Sequence, residues 1–277
     1  MSKMQNNQMQ STKLNNGNLM PLLGLGVYDM YGKEAQQAVE TAIEIGYRLI
    51  DTASMYENEK EIGAAINASS VKRTNLFLTT KLNNTDHGYD AALKAFEVSL
   101  DKLQQDYVDL YLIHWPIKEG RKESWKAIER IYEEGRAKSI GVANYTLPFL
   151  KELETYSNII PAVNQIEFTP WLLDIETYSY CKKIGIQLQS YSPITRGIKF
   201  TDERLLLLCE KYQKTPAQII LNWNLQLDVS TIPKSSNKKR LIENLESANF
   251  KLDMVDVEIM NTFNEGFRIC DDPAIFL

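Results

Sequence analysis

Histidine and cysteine are scarce in this chain: two and three, respectively, among 277 residues. Cys181, Cys209 and Cys270 lie far apart and none forms a C-x-x-C pair. That leaves no basis for a Cys/His zinc centre or a histidine-rich metallohydrolase barrel, and no metal is expected. An odd number of scattered thiols reads as reduced structural cysteine in a cytoplasmic protein, not as a disulfide framework. No apolar run approaches the roughly 18 residues of a membrane span. Positive charge is in deficit too, with 31 Lys and Arg against 36 Asp and Glu and a net charge of −5. This argues against a general nucleic-acid or anionic-membrane surface, while a local basic patch can still hold a small anion. The opening MSKMQNNQMQ has neither the apolar core of a signal peptide nor the arginines of a transit peptide. Residues 1–11 therefore read as a flexible polar tail.

A hydrophobic fraction of 44% with 24% charged residues suits a soluble protein with a sizeable core. Length alone fits one large α/β barrel or two smaller domains. The pattern decides between them. Candidate strands occupy residues 22–27, 48–53, 76–81, 108–114, 137–143, 162–167, 186–192 and 229–234. Several are apolar on both faces, as strands buried in a parallel sheet are. Amphipathic helices lie between them: Ala35, Val39, Ala42 and Ile43 share one face, as do Ala92, Ala95, Phe96, Ser99, Leu100 and Leu103. Thr215-Pro216-Ala217-Gln218 combines an N-cap, a first-turn proline and a reciprocal capping residue.

Eight strand–helix repeats without a linker predict an α/β fold, a (β/α)8 TIM barrel over residues 12–277 as a single domain. KLNNGNLM (13–20) reads as a hairpin with an Asn-Gly turn, placed to cover one end of the barrel. A doubly wound dinucleotide-binding sheet is the competing architecture, and it needs G-x-G-x-x-G between a strand and a helix. Gly24-Leu25-Gly26 comes nearest, but no third glycine follows.

Barrels of this type carry their chemistry at the C-terminal ends of the strands. Those ends supply Asp51, Lys81 and His114, with Tyr56 in the loop after the second strand. Each has an ordinary alternative: a turn-capping Asp, a surface Tyr, a snorkelling Lys, a core His. Their convergence on one rim favours a joint role. A phenol has an ordinary pKa of about 10 and becomes a useful general acid only beside a cation that stabilises its anion. Lys81, oriented by Asp51, is placed to supply that cation.

The segments GYRLIDTASMYENE (46–59), DYVDLYLIHWP (106–116), KSIGVANY (138–145), NQIEFTP (164–170), QSYSPI (189–194) and IPKSSNKKRLIEN (232–244) resemble the aldo-keto reductases, in order from Thr12 to Asn249. The likeness is nearest to short-loop bacterial and protozoan members of the 2,5-diketogluconate reductase, glyoxal reductase and prostaglandin F synthase type. It implies NADPH-dependent reduction of an aldehyde or ketone, with Asp51, Tyr56, Lys81 and His114 as the catalytic tetrad. Tyr56 would give its proton to the carbonyl oxygen, Lys81 would lower the phenol's pKa, and Asp51 would hold the lysine. Neutral His114 would hydrogen-bond the carbonyl oxygen.

For the cofactor, IPKSSNKKRLIEN places a helix start near Ser236 or Asn237 behind a strand, where backbone N–H groups and the helix dipole favour an anion. An ordinary solvated helix start is the plain alternative. The resemblance assigns Lys234, Ser235, Arg240, Glu243 and Asn244 to the adenosine end of NADPH or NADP+, with Lys234 and Arg240 suited to the extra phosphate. It assigns Asn144 and Gln165 to the carboxamide and Tyr191 to ring stacking. Ser192 and Ile194 fall near the pyrophosphate, and Gly26 and Val27 approach the cofactor through backbone. Ala143 departs from the family's usual serine, and Asn83 from its frequent tryptophan.

The substrate pocket is expected from Tyr28, Asn83 and Trp115, with Met55 a lesser candidate. A short segment after His114 and a chain that ends soon after its last helix imply little covering over the mouth. That suits broad tolerance of small carbonyl compounds. The implied protein is a cytoplasmic monomer whose partner is a small-molecule carbonyl substrate, without nucleic acid or membrane. Two alternatives remain open: a non-catalytic NADPH-binding sensor or accessory subunit of the same fold, and a barrel isomerase or lyase using Lys81 as a Schiff-base nucleophile.

Overall fold

The computed structural model describes residues 10–277. A hairpin comes first. Strands β1 (Ser11–Lys13) and β2 (Leu19–Pro21) pair antiparallel across a turn in which Gly17 takes a φ of +91°. The tail expected over residues 1–11 lies outside the described residues as far as residue 9; at its far end Ser11 is instead paired in β1, opposite Pro21.

Eight parallel strands follow: β3 (Leu25–Gly26), β4 (Leu49–Asp51), β5 (Phe77–Leu82), β6 (Leu110–Ile113), β7 (Ile140–Ala143), β8 (Val163–Glu167), β9 (Gln187–Tyr191) and β10 (Ser230–Thr231). Each pairs with its neighbour in chain order. Parallel bridges Leu23↔Thr231 and Gly26↔Lys234 join the first strand to the last and close the sheet. This is the expected (β/α)8 barrel with an N-terminal hairpin. The first and last strands are shorter than the sequence suggested. Pro233, with no N–H to donate, interrupts the ladder after Thr231.

The helices are α1 (Gly32–Ile45), α2 (Glu59–Ala68), α3 (Tyr89–Leu103), α4 (Arg121–Glu133), α5 (Leu147–Glu154), α6 (Ile175–Ile184), α7 (Glu203–Tyr212), α8 (Pro216–Gln226), α9 (Lys238–Leu245) and α10 (Met254–Asn261). The apolar face expected of α1 is buried, and the helix stops at Gly46, whose φ of +118° suits glycine alone. The capping box at Thr215 and Gln218 is formed as expected. Two helices, α7 and α10, supplement the one-helix-per-strand repeat.

Side chains alternate along each strand and divide the core in two. Outward residues such as Ile50, Leu78, Tyr111, Val142 and Leu188 pack with the helices. Inward residues Leu49, Phe77, Leu110, Leu112 and Val163 fill the lower barrel together with Leu14 and Met20 of the hairpin. Asn15 donates to Pro161 O, Asn16 and Asn18 to Lys138 O, and Thr12 to Gln187. The hairpin therefore plugs the N-terminal end of the barrel, opposite the mouth that receives the polar strand ends. Space inside is tight: a Cβ on Gly141 would stand 2.3 Å from Val163 O.

Candidate active site

The four polar residues anticipated at the rim meet there. Asp51 ends β4 and Lys81 is an inward residue of β5; both are buried, and Lys81 Nζ donates to Asp51 Oδ1 at 2.5 Å. Nζ also donates to Thr52 O at 2.9 Å and reaches Tyr56 Oη at 3.4 Å. Tyr56 sits in a single 3-10 turn, Ser54–Tyr56, directly after β4. Asn58 fixes that turn, accepting from Thr52 Oγ1 at 2.7 Å and donating to Val27 O and Met30 O. His114 follows β6 and brings Nε2 to 3.5 Å from Tyr56 Oη.

Burial pushes the Asp51 carboxyl up and the Lys81 ammonium down, and the contact between the two opposes both shifts. The expectation that Lys81 lowers the phenol's pKa is corrected for the free protein: desolvation, reinforced by the Asp51 charge, holds Tyr56 well above its ordinary value. It is therefore protonated in the free protein, the state an acid needs. His114 is held well below the imidazole range by burial and by the Lys81 charge, so it is neutral. Its Nδ1 is buried without a partner among the described residues. The neutral ring carries one proton, and a buried N–H left unpaired costs more than a bare lone pair, which favours the tautomer with that proton on Nε2. In that tautomer the phenol oxygen meets two N–H donors and its own O–H is free to point at the mouth.

Other anticipated residues gather around this group. Asn144, held at a φ of +64°, donates to His114 O at 2.8 Å and accepts from Tyr191 Oη at 2.8 Å. Gln165 donates to Asp51 Oδ2 at 2.7 Å. Ser192 (φ +46°) and Ile194 lie in the loop after β9, where Thr195 and Arg196 also adopt the left-handed region. Such backbone concentrates at functional sites. Gly26 ends β3 with no room for a side chain, since a Cβ would stand 2.7 Å from Ile232 O; Val27 follows it, fully buried.

At the start of α9, Asn237 caps the helix by accepting from Arg240 N at 3.2 Å, and buried Ser235 accepts from Asn237 N. Lys234 and Arg240 are exposed, and neither forms an ion pair among the described residues. Asn244 is buried, while Glu243 accepts from Thr215 Oγ1 at 2.7 Å and so braces the cap of α8. The bridge from Gly26 to Lys234 places this basic corner beside the end of β3.

At the mouth, Tyr28 is 52% exposed and its ring lies 5.2 Å from that of Tyr56, edge to face. Asn83 begins the turn after β5, and Trp115 follows His114. Met55 is exposed beside them. The expectation of a sparsely covered mouth is corrected by the C-terminal segment. Ile269 N and Cys270 N donate to Glu167 at the end of β8, Phe276 packs 5.9 Å from Trp115, and Phe276 O accepts from Arg121. Residues 265–276 therefore cross the rim from β8 toward β6. Sequence reasoning missed Glu167, Asn58 and Gln189. Glu167 sits two residues beyond Gln165 on the same inward face, a period-2 signal that would have found it.

Residues 23–265 match the aldo/keto reductase family. Glyoxal reductase of Bacillus subtilis is 45% identical over 264 residues, covering 95% of this chain and 96% of the relative. Among solved structures, an aldo-keto reductase from a deep-sea metagenome superposes with a TM-score of 0.92 at 40% identity, over 95% of this chain and 98% of that one. The Bombyx mori aldo-keto reductase in complex with NADP gives 0.89 at 35% identity, over 95% of each chain.

Proposed function

Since this chain belongs to the aldo/keto reductase family, we propose that it reduces aldehydes and ketones to alcohols with NADPH, using Tyr56 as proton donor. When bound, NADPH supplies the hydride that reaches the carbonyl carbon. Everything else falls to the chain. His114 Nε2–H orients the carbonyl oxygen over Tyr56 and stabilises the negative charge that gathers there. Tyr56 Oη–H gives that oxygen its proton, and the phenolate left behind is held by the Lys81 ammonium and the His114 N–H until solvent restores the proton. Asp51 keeps Lys81 charged and in place. General acid catalysis of this kind is worth roughly 10²–10⁴-fold. The observation that carries the reading is a phenol oxygen 3.4 Å from an ammonium and 3.5 Å from a neutral imidazole nitrogen, in a mouth open to a ligand.

The residues present suit the cofactor. Two cations without an ion-pair partner among the described residues, Lys234 and Arg240, stand at the capped start of a helix, a donor set that fits a phosphate monoester. Ser235, Glu243 and Asn244 would hold the adenosine, and Ser192 and Ile194 the pyrophosphate. Asn144, Gln165 and Tyr191 would hold the nicotinamide, with Gly26 and Val27 giving it a flat backbone wall. Tyr28, Asn83 and Trp115 would line the substrate site. The relative named glyoxal reductase supports small dicarbonyls as one substrate class. We take residues 12–277 as one domain acting as a cytoplasmic monomer, consistent with its free thiols.

The test is NADPH consumption by the purified protein with methylglyoxal, phenylglyoxal and nitrobenzaldehydes, with the alcohols identified as products. Turnover of the small dicarbonyl methylglyoxal is expected. Cofactor binding without turnover of any carbonyl would favour a sensor or accessory subunit instead.

A further inference from the structure

The barrel interior holds a row of buried polar side chains that the proton and hydride chemistry does not itself use. Gln165, Gln189 and Ser230 are each at most 2% exposed. They occupy inward positions on the adjacent strands β8, β9 and β10, between the apolar plug and the tetrad. Polar groups placed this deep are costly unless every donor and acceptor is matched.

Here the matching also fixes which way each amide faces. At the lower end Pro21 of β2 offers only a carbonyl, so Ser230 donates its hydroxyl proton to Pro21 O at 3.3 Å. Ser230 Oγ then accepts from Gln189 Nε2 at 3.1 Å, which turns the Gln189 carbonyl the other way. That carbonyl accepts one N–H of Gln165 at 2.7 Å, and the second N–H of Gln165 donates to Asp51 Oδ2 at 2.7 Å. Asp51 Oδ1 takes Lys81, and Lys81 reaches Tyr56. One continuous chain of hydrogen bonds, with Gln165 donating both ways, runs from the hairpin beneath the barrel to the phenol at its mouth.

We infer that Gln189 is a positioning residue for the tetrad: through Gln165 it fixes the orientation in which Asp51 holds Lys81 against Tyr56. The inference rests on the carbonyl-reductase reading of this same site. Both N–H groups of Gln165 are consumed, so only its carbonyl oxygen remains for a ligand. Toward a nicotinamide carboxamide Gln165 acts as an acceptor. Without the Gln189 carbonyl, Gln165 keeps a buried N–H unpaired or rotates away from Asp51. The titratable groups facing Asp51 and its partner are Lys81 from β5, Tyr56 from the turn after β4 and His114 from β6, with Glu59 acting on Lys81 from α2. Gln165 is the neutral donor that favours the ionised carboxylate.

Gln189→Leu removes both of its hydrogen bonds at similar volume, and Ser230→Ala cuts the chain one link further out. The first readout needs no cofactor: carboxyl 13C NMR titration of Asp51, assigned with Asp51→Asn. The Asp51 midpoint moves to higher pH in Gln189→Leu and, by less, in Ser230→Ala. The second readout is the kcat profile with NADPH and methylglyoxal. Its acid limb moves the same way and kcat falls by about tenfold, the scale of one lost hydrogen bond, while KM for the aldehyde holds. A folded Gln189→Leu with the parent's Asp51 midpoint and pH profile, changed only in Tm, would overturn the inference. Should that variant not fold, Ser230→Ala decides on the same two readouts. A parent protein that reduces no carbonyl would sink the functional reading, while the carboxyl titration would still judge this one.

Discussion

Replacing Lys81 with Met deletes the cation beneath the phenol without opening a large cavity, and the structure sets the size of the effect. A unit charge 3.4 Å from a developing phenolate is worth roughly 5 kcal/mol at an effective dielectric of about 20. The Asp51 carboxylate, 2.5 Å beyond the ammonium, works against it. Those two distances put it at most about 6 Å from Tyr56 Oη, so it cancels at least roughly 3 kcal/mol. The net is at most about 2 kcal/mol, a loss of up to about 30-fold in the chemical step. Burial already disfavours the charged Asp51 carboxyl, and deleting the cation that opposes this shift favours its neutral form further. Single-turnover decay of NADPH absorbance under saturating methylglyoxal measures the step directly, and NADPH fluorescence titration measures binding. The rate should fall and the affinity should hold. A parent-like rate, or a loss confined to NADPH affinity, would refute the reasoning.

Arg240→Ala should weaken NADPH by about tenfold or more and leave NADH nearly untouched, since only the former carries the phosphate the guanidinium would meet; fluorescence titration with both cofactors checks it. With saturating substrate, kcat should show no inflection near the ordinary imidazole pKa of about 6.5, because His114 is neutral throughout. At the alkaline end the rate should hold to pH ~10 and decline above it, since the phenol that must donate the proton is held above its ordinary value. Leu14→Ala, in the hairpin plug, should cost roughly 2–5 kcal/mol in denaturant unfolding while kcat at saturation stays that of the parent.

The repeat and the tetrad were legible because both follow from period and position. Strands buried on both faces, such as Leu110–Ile113, announce themselves as continuous apolar runs, and the polar residue that breaks each run marks the rim. Other features have no such mark. The segment RICDDPAIFL carries neither helical nor strand period, and its path over the mouth is fixed by backbone N–H groups meeting Glu167, a contact between residues about a hundred positions apart. The interior chain was hidden for a different reason. Gln187 and Gln189 alternate with Leu188 and Ser190, a pattern that reads as a half-solvated strand, whereas both faces of β9 are covered. Helix α7 carries no mark that sets it apart from the repeat, because its Leu205 and Leu208 give it the same amphipathic stripe as a barrel helix.

The central claim is that Tyr56 donates the proton. Removing its hydroxyl alone, with Tyr56→Phe, tests that most directly when kcat and the NADPH dissociation constant are measured on the same preparation. The account predicts a fall in kcat of roughly 10²–10⁴-fold with NADPH affinity unchanged, because no assigned cofactor contact passes through that hydroxyl. A Phe variant that reduces aldehydes as fast as the parent would contradict it.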